Sequence, residues 1–364
     1  MVNLNSFNPF ASNNLPPPSK IISLQIYPIK SCRGFEVTRT TLRKRGLDLD
    51  RQWMFVDAST RKFLTIRDLS QMTLVRTSLS ADGDQLQVRI EGTDKSIAIP
   101  AHPSQDWLQE NTKLVPAKVW SADTDGYEYS NAVSGIFSDF FGRKVALLMK
   151  GPTPRILSGN GAPQFLGRTE STQFADGESS SPLTPIPSHQ YRPESPPLQN
   201  PNTLKPSTPV LPVQIASQAS IDELNARLGS RGHTPITIER FRPNIIIEGT
   251  TPWSEDSWKV VCINGPSPSF LPSLPFLSSS TALDLDVASR CARCQVPNVD
   301  PETAEKNKHE PWDTLMTYRR VDKGIKYKPC FGMLCVPRGE GELEVGMRFE
   351  VTGVTGEHFY QKGF

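Results

Sequence analysis

Apolar and polar residues alternate over short stretches along most of the chain. Ile22, Leu24 and Ile26 are separated by Ser23 and Gln25, and Leu86, Val88 and Ile90 by Gln87 and Arg89. A period of two places every second side chain on one face, so both stretches are predicted as half-buried strands. The second follows an Asp82-Gly83 turn signal. Trp53 to Val56, Ile97 to Ile99, Lys118 to Trp120, Ile245 to Ile247, Val260 to Ile263 and Arg348 to Thr352 read as further strands. Helical spacing is rarer. Val133, Ile136, Phe137 and Phe140 share a face within Ala132 to Phe141, and Ile221 to Leu228 predicts a second helix. Ser220 and Glu223 form a capping-box pattern at the start of that helix, and Gly229 follows its last apolar residue.

The resulting fold class is α+β, mainly β. Proline sharpens the domain plan, because its 33 residues are not spread evenly. Asp176 to Pro212 holds ten prolines and six serines, a composition that buries too little apolar surface to offset the entropy of ordering it. Asn264 to Ala282 has four prolines and six serines but also Phe270, Leu271, Leu274, Phe276 and Leu277. Both read as Pro/Ser-rich loop insertions. The 364 residues divide into a flexible N-terminus over 1–20, a β-barrel-like domain over 21–150, a linker with the larger insertion over 151–213, and a second β-barrel domain over 214–364.

Charge removes some function classes. Forty Lys and Arg against 38 Asp and Glu leave a formal charge of +2, too little to attract a polyanion, so nucleic acid is not expected as a partner. No window approaches the ~20 apolar residues of a membrane span. Met1 to Lys20 has neither the charged nor the long apolar region of a secretion signal. An intracellular setting follows, in the cytoplasm or associated with the mitochondrion, where the six cysteines are expected reduced.

Four of those cysteines are close in sequence, Cys291 and Cys294 as C-x-x-C, then Cys330 and Cys335. A four-thiolate zinc site is one reading, although the bulky residues inside both spacings fit it poorly. Apolar filling by Cys330 and Cys335 is another. Arg290 and Arg293 flank the first pair, and positive charge beside a thiol favours thiolate, which makes Cys294 a candidate soft ligand or nucleophile. The stretch Tyr27-Pro-Ile-Lys-Ser-Cys-Arg-Gly34 ends the first strand with basic and hydroxyl donors that suit an anion. It lacks the glycine spacing of a Walker loop. Asp48 to Trp53 and Phe241-Arg-Pro-Asn244 add arginines at strand starts, where a guanidinium can fork onto a phosphate.

Tyr27 to Gly34, Asp50 to Trp53, Phe241 to Asn244, and Arg290 to Pro301 occur in this order in one family, and the chain resembles it: the MOSC family, named for the molybdenum cofactor sulfurase C-terminal domain, with its companion N-terminal β-barrel. The amidoxime-reducing members are the nearest in motif. This resemblance implies that Cys294 binds molybdenum, that Lys30 and Ser31 hold the phosphate side of the cofactor, and that Arg51, Arg242, Asn244 and Arg293 complete its binding. Asp300 would shape a Val-Asp-Pro turn, and Tyr318 and Arg319 match a Tyr-Arg pair. Two departures bear on the site. Thr303-Ala304 replaces a common Thr-Gly, and Leu211-Pro212 replaces a Ser-Pro or similar pair.

The resemblance implies a molybdopterin-dependent oxidoreductase that reduces small N-hydroxylated substrates, amidoximes or hydroxylamines, with electrons from a small b-type cytochrome and its flavin reductase. Sulfur transfer through Cys294, or storage of the cofactor, are the alternative readings. No pyridoxal-phosphate-dependent desulfurase segment is read in the chain. If the composition of Asp176 to Pro212 governs access, limited proteolysis cuts there first and leaves two fragments that co-elute in size-exclusion chromatography; a first cut elsewhere excludes the linker reading.

Overall fold

A computed structural model describes residues 15–119, 122–153, 212–265 and 282–360. The larger insertion up to Leu211 and most of the smaller one lie outside these residues, as do Met1 to Asn14. Among the described residues, no helix is long and apolar enough to cross a membrane.

The organising element is a closed barrel of seven strands. Ser19–Ile26 pairs with Ile245–Ile247, which is followed around the barrel by Val213–Ser217, Cys330–Pro337, Leu283–Ala292, Trp258–Asn264 and Arg348–Val354, and the last returns to Ser19–Ile26. Only Val213–Ser217 and Ile245–Ile247 run parallel; the other six pairings are antiparallel. Side chains from alternating positions fill the interior: Ile21, Leu24, Val213, Ile215, Ile245, Ile247, Val261, Ile263, Leu285, Met333, Cys335 and Phe349 form one buried cluster. The barrel's first strand comes from the N-terminal stretch of the chain, so the two halves share a stave.

The simple alternation of Ile22, Leu24 and Ile26 is broken in the structure. The pairing register shifts between Ile21 and Ser23, and this bulge turns Ile21 into the barrel while Ile22 packs outside, against the cluster of Ile221, Leu224 and Leu228. One extra residue reverses the face of everything before it. The second helix also differs from its sequence signals. It spans Gln218–Ser230, so Ser220 lies inside it, and the hydroxyl donates to Glu255 Oε1 at 2.7 Å and accepts from the Trp253 amide at 2.8 Å. Tertiary partners have taken the hydroxyl that local pattern assigned to a cap.

The N-terminal half wraps a second core. A four-stranded sheet orders Trp53–Asp57, Val145–Lys150, Ala122–Tyr129 and Thr112–Val119, and a three-stranded sheet orders Val75–Leu79, Gln85–Ile90 and Ser96–Pro100. Helix Asn131–Phe141 lies over Phe55 through Phe137 and Phe141, with ring centroids 4.9 and 5.6 Å away, and ends at Gly142 in the left-handed conformation. Ile26, Ile29 and Cys32 belong to this core. Strand Ser19–Ile26 therefore leaves the barrel by entering the other half's interior, and the segment after it is pinned to both. Leu24→Ala removes a fully buried side chain from the closing stave and is expected to cost about 2–5 kcal/mol. Denaturant unfolding checks this, with a fall in midpoint seen by the C-terminal Trp258 as well as by Trp53.

Candidate functional site

Where strand Ser19–Ile26 ends, the chain turns back sharply. Gly34 permits this, because a Cβ there would clash with the Ile26 carbonyl oxygen, far inside van der Waals contact distance. The turn is held from within: the Tyr27 amide donates to Asp50 Oδ1 at 2.8 Å, the Arg51 amide donates to the Tyr27 carbonyl at 2.8 Å, and the Lys30 amide donates to the Trp53 carbonyl at 2.8 Å. Ser31 and Arg51 both have positive φ, 70° and 53°. Non-glycine residues held this way carry strain that the surrounding hydrogen bonds must offset.

Arg51 then reaches the C-terminal half. Its Nη1 donates to Asn244 Oδ1 at 3.1 Å and also pairs with Asp50, and its Nη2 donates to the Arg242 carbonyl at 3.1 Å. Asn244 is fully buried and spends its amide on two strands besides the Arg51 turn: Oδ1 also accepts from the Gln214 amide at 3.2 Å, and Nδ2 donates to the Gln25 carbonyl at 3.2 Å. Its own role in the structure is to join staves. Arg242, at a φ of 57°, lays its guanidinium over the Tyr27 ring at 4.2 Å, with that of Arg51 at 5.2 Å from the same ring. Burial pulls the Arg242 pKa down to about 10 and pushes the Tyr27 phenol well above its ordinary value.

These groups border a cleft of about 200 Å³ lined by Arg51, Gln214, Arg240, Arg242 and Cys294, among others. The Cys294 thiol is half-buried there, free of any disulfide. Arg293 beside it is buried and gives its donors to backbone: Nε and Nη2 to the Phe331 carbonyl at 2.9 and 2.5 Å, Nη1 to the Phe241 carbonyl at 2.8 Å. The Arg293 guanidinium thus ties Phe241 and Phe331, whose rings stack at 3.8 Å, into one wall. Lys30 and Ser31 are on the adjoining turn and are not part of the cleft lining; the Lys30 ammonium sits 4.6 Å from the Phe63 ring.

Sequence reading missed Gln214 and Arg240. Gln214 alternates with the inward-facing Val213 and Ile215, so it points out of the barrel as its polarity suggests, and only the tertiary fold brings Arg242 and Cys294 beside it. Arg240 does carry a signal, as the arginine that flanks Phe241 on the other side from Arg242. Its Nη2 donates to Asp300 Oδ2 at 2.6 Å, while Asp300 Oδ1 accepts from the Glu302 amide at 2.8 Å, so this carboxylate shapes its turn and braces the cleft arginine.

Three polar atoms at this end are buried with no hydrogen-bond partner among the described residues: Gln214 Nε2, Arg242 Nη2 and Tyr27 Oη. Leaving a donor so costs about 1–3 kcal/mol, and Gln214 and Arg242, which line the cleft, can be satisfied by acceptor atoms of a bound group. The donor set, one soft thiol facing arginine and amide N–H groups, suits a sulfur-ligated metal carried by an anionic, acceptor-rich cofactor. It does not suit zinc. Among the described residues, no group of three or more His, Cys, Asp or Glu is arranged to hold a metal ion. Cys335 lies in the barrel core and Cys330 is buried, its pKa pushed up to about 12 by burial. Burial also raises the Cys291 pKa, and its Sγ lies 3.9 Å from Gln214 Oε1.

The Tyr318-Arg319 pair has structural partners. Arg319 forks onto Asp256 with two bonds of 2.8 Å, and the Tyr318 hydroxyl donates to Glu223 Oε2 at 2.9 Å. Ala304 adopts a φ of 60° and its amide donates to the Asp300 carbonyl at 3.0 Å, so the turn keeps the left-handed form for which glycine is suited. Ala304→Gly is expected to relieve roughly 1 kcal/mol of strain, less the entropy glycine adds to the unfolded chain. A thermal melt checks it, and a lower melting temperature refutes the strain.

Residues 19–144 match the family model described as the MOSC N-terminal beta barrel domain, and residues 207–350 match the MOSC domain. The mitochondrial amidoxime reducing component 2 of Rattus norvegicus is 26% identical over 329 residues, covering 88% of this chain and 80% of that protein. The mitochondrial amidoxime-reducing component 1 of Homo sapiens is 25% identical over 90% of this chain and 81% of its own. A molybdenum cofactor sulfurase of Botryotinia fuckeliana is 26% identical over 83% of this chain, which spans only 37% of the sulfurase. With both of its parts matched in order and the arginine-lined cleft between them, the chain belongs to the MOSC family.

Proposed function

We propose that this protein is a molybdenum-cofactor-dependent oxidoreductase that reduces small N-hydroxylated substrates of the amidoxime or hydroxylamine type, with Cys294 as the protein's ligand to the metal. One observation carries the reading: the half-buried Cys294 thiol shares a cleft with Arg51, Arg240, Arg242 and the unpartnered amide of Gln214. The names of the amidoxime reducing relatives support the reaction type. When bound, the cofactor supplies the two-electron chemistry that removes the substrate oxygen as water.

The chain's own residues would bind and orient it. Cys294 offers a soft sulfur donor. Arg242 and Arg51, held side by side over Tyr27, present N–H groups to an acceptor-rich ring or a phosphate, and Lys30 and Ser31 on the adjoining turn add a cation and a hydroxyl for the anionic end. Arg293 fixes the Phe241 and Phe331 carbonyls, which holds the backbone before Arg242 and the residue before Cys294 in register. Electrons must come from outside the cleft, and the reading assigns them to a small b-type cytochrome with its flavin reductase. The sulfurase relative favours a second reading, in which Cys294 carries sulfur.

Protein produced in a host that makes the cofactor is expected to contain molybdenum and to reduce an aryl amidoxime with dithionite-reduced viologen as donor. Cys294→Ser should lose both metal and turnover, because a hydroxyl is a poor donor to this metal, while Cys291→Ser, Cys330→Ala and Cys335→Ala keep most of the metal. Elemental analysis and the viologen assay decide. Full metal content and turnover in Cys294→Ser would remove the ligand assignment, and a persulfide on Cys294 in metal-free protein would establish the sulfur-transfer reading instead.

A further inference from the structure

The loop between helix Trp312–Tyr318 and strand Cys330–Pro337 carries a patch that the cleft does not use. Arg320, Lys323, Lys326 and Lys328 are exposed, and none forms a salt bridge among the described residues. The chain as a whole has a charge of only +2, so four unneutralised cations within nine residues are a local feature. Val321 and Tyr327 stand exposed among them, Tyr327 at 84%, with Phe359 of the C-terminal segment also exposed. A concavity of about 310 Å³ runs between Tyr318, Arg320, Val321, Lys323 and Lys326. Apolar and aromatic groups inside a cationic rim are the composition of a protein-docking surface.

The loop's one carboxylate, Asp322, also borders that concavity, but its side chain is withdrawn from solvent. Asp322 has a fully buried side chain: Oδ1 accepts from the Gly324 and Tyr360 amides, both at 2.9 Å, and Oδ2 lies 3.4 Å from Arg290 Nη1. This buries the negative charge, leaves the loop's exposed charges all cationic, and pins the loop to the C-terminal segment so that its cations are held before any partner arrives.

Its position relative to Cys294 is fixed by the backbone. The Arg293 amide donates to the Pro329 carbonyl at 2.8 Å, and the Cys330 amide donates to the Arg319 carbonyl at 2.9 Å. With consecutive Cα atoms ~3.8 Å apart, Lys328 and Cys294 have Cα atoms no more than about 15 Å from each other.

We infer that this face docks an acidic redox protein, which delivers electrons to the Cys294 cleft. The inference rests on the reductase reading for its purpose, though not for the docking itself. Charge complementarity selects an acidic partner, and steering by the four cations sets its association rate and its sensitivity to salt.

The probe is a small acidic b-type cytochrome domain, fluorescently labelled and titrated against the full chain at low and moderate ionic strength. Lys323→Glu/Lys326→Glu/Lys328→Glu is expected to weaken binding at least tenfold at low salt and to flatten the salt dependence. The neutral triple Gln variant should fall in between, and serves if charge reversal disturbs folding, which circular dichroism monitors. Cytochrome-driven amidoxime turnover should fall in step, while viologen-driven turnover stays at the wild-type value. Equal binding by wild type and variants, or no binding by wild type at 100 µM, overturns the inference. Binding of anionic phosphatidylserine vesicles that the Glu variant loses, with cytochrome binding unchanged, also overturns it in favour of a lipid surface. Cytochrome binding that the variant loses, in a protein without viologen turnover, supports the docking face and removes the reductase reading.

Discussion

Barrel closure is the constraint on which this molecule depends. A sheet of six strands from the C-terminal half would leave Ile245–Ile247 and Arg348–Val354 with unpaired edges, and strand Ser19–Ile26 satisfies both. Because that stave belongs to the N-terminal stretch, the turn that follows it is delivered to the rim of the barrel with little freedom of its own. The cleft lies at this join. Arg51 enters it from one half, and Gln214, Arg242 and Cys294 from the other, with Asn244 holding the seam through its buried amide.

Polar groups at the seam divide into two kinds. Arg293 and Asn244 spend their donors on backbone carbonyls, and fix the shape of the walls. Gln214 Nε2 and Arg242 Nη2, on residues that line the cleft, have no partner among the described residues. The second kind is tolerable only because the first makes the surroundings rigid, and the difference separates residues that frame the cleft from those that face its contents. Arg293 shows how a cleft-lining residue can also brace the walls, because its donors go to the Phe331 and Phe241 carbonyls.

Much of the strand plan was legible in the sequence, because half-buried strands announce themselves by alternation, and the helix that lays Phe137 and Phe141 over Phe55 by the spacing of its apolar residues. The family was legible because four motifs share one order. What escaped reading was set by tertiary contacts. The bulge that turns Ile21 inward has no local signature, the Ser220 hydroxyl serves Glu255 and Trp253 rather than a helix start, and Gln214 becomes a cleft residue only because distant segments bring Arg242 and Cys294 beside it. The zinc reading of the four cysteines failed for a related reason: spacing along the chain cannot show that Cys335 points into the barrel core.

The borrowed stave also bears on how the protein is made. Ile21 and Leu24 find their partners at Ile247 and Ile245, so an apolar strand near the start of the chain must wait for over two hundred residues to be synthesised. At ~5–20 residues per second, that interval lasts on the order of ten to forty seconds. During it the nascent chain exposes a sheet edge with nothing to pair, while the N-terminal core around Phe55 can already assemble. Biogenesis therefore has two clocks, one for a half that folds as it emerges and one for a barrel that cannot close until strand Arg348–Val354 has been made, and the ribosome-bound intermediate between them is the state that chaperones would need to shield.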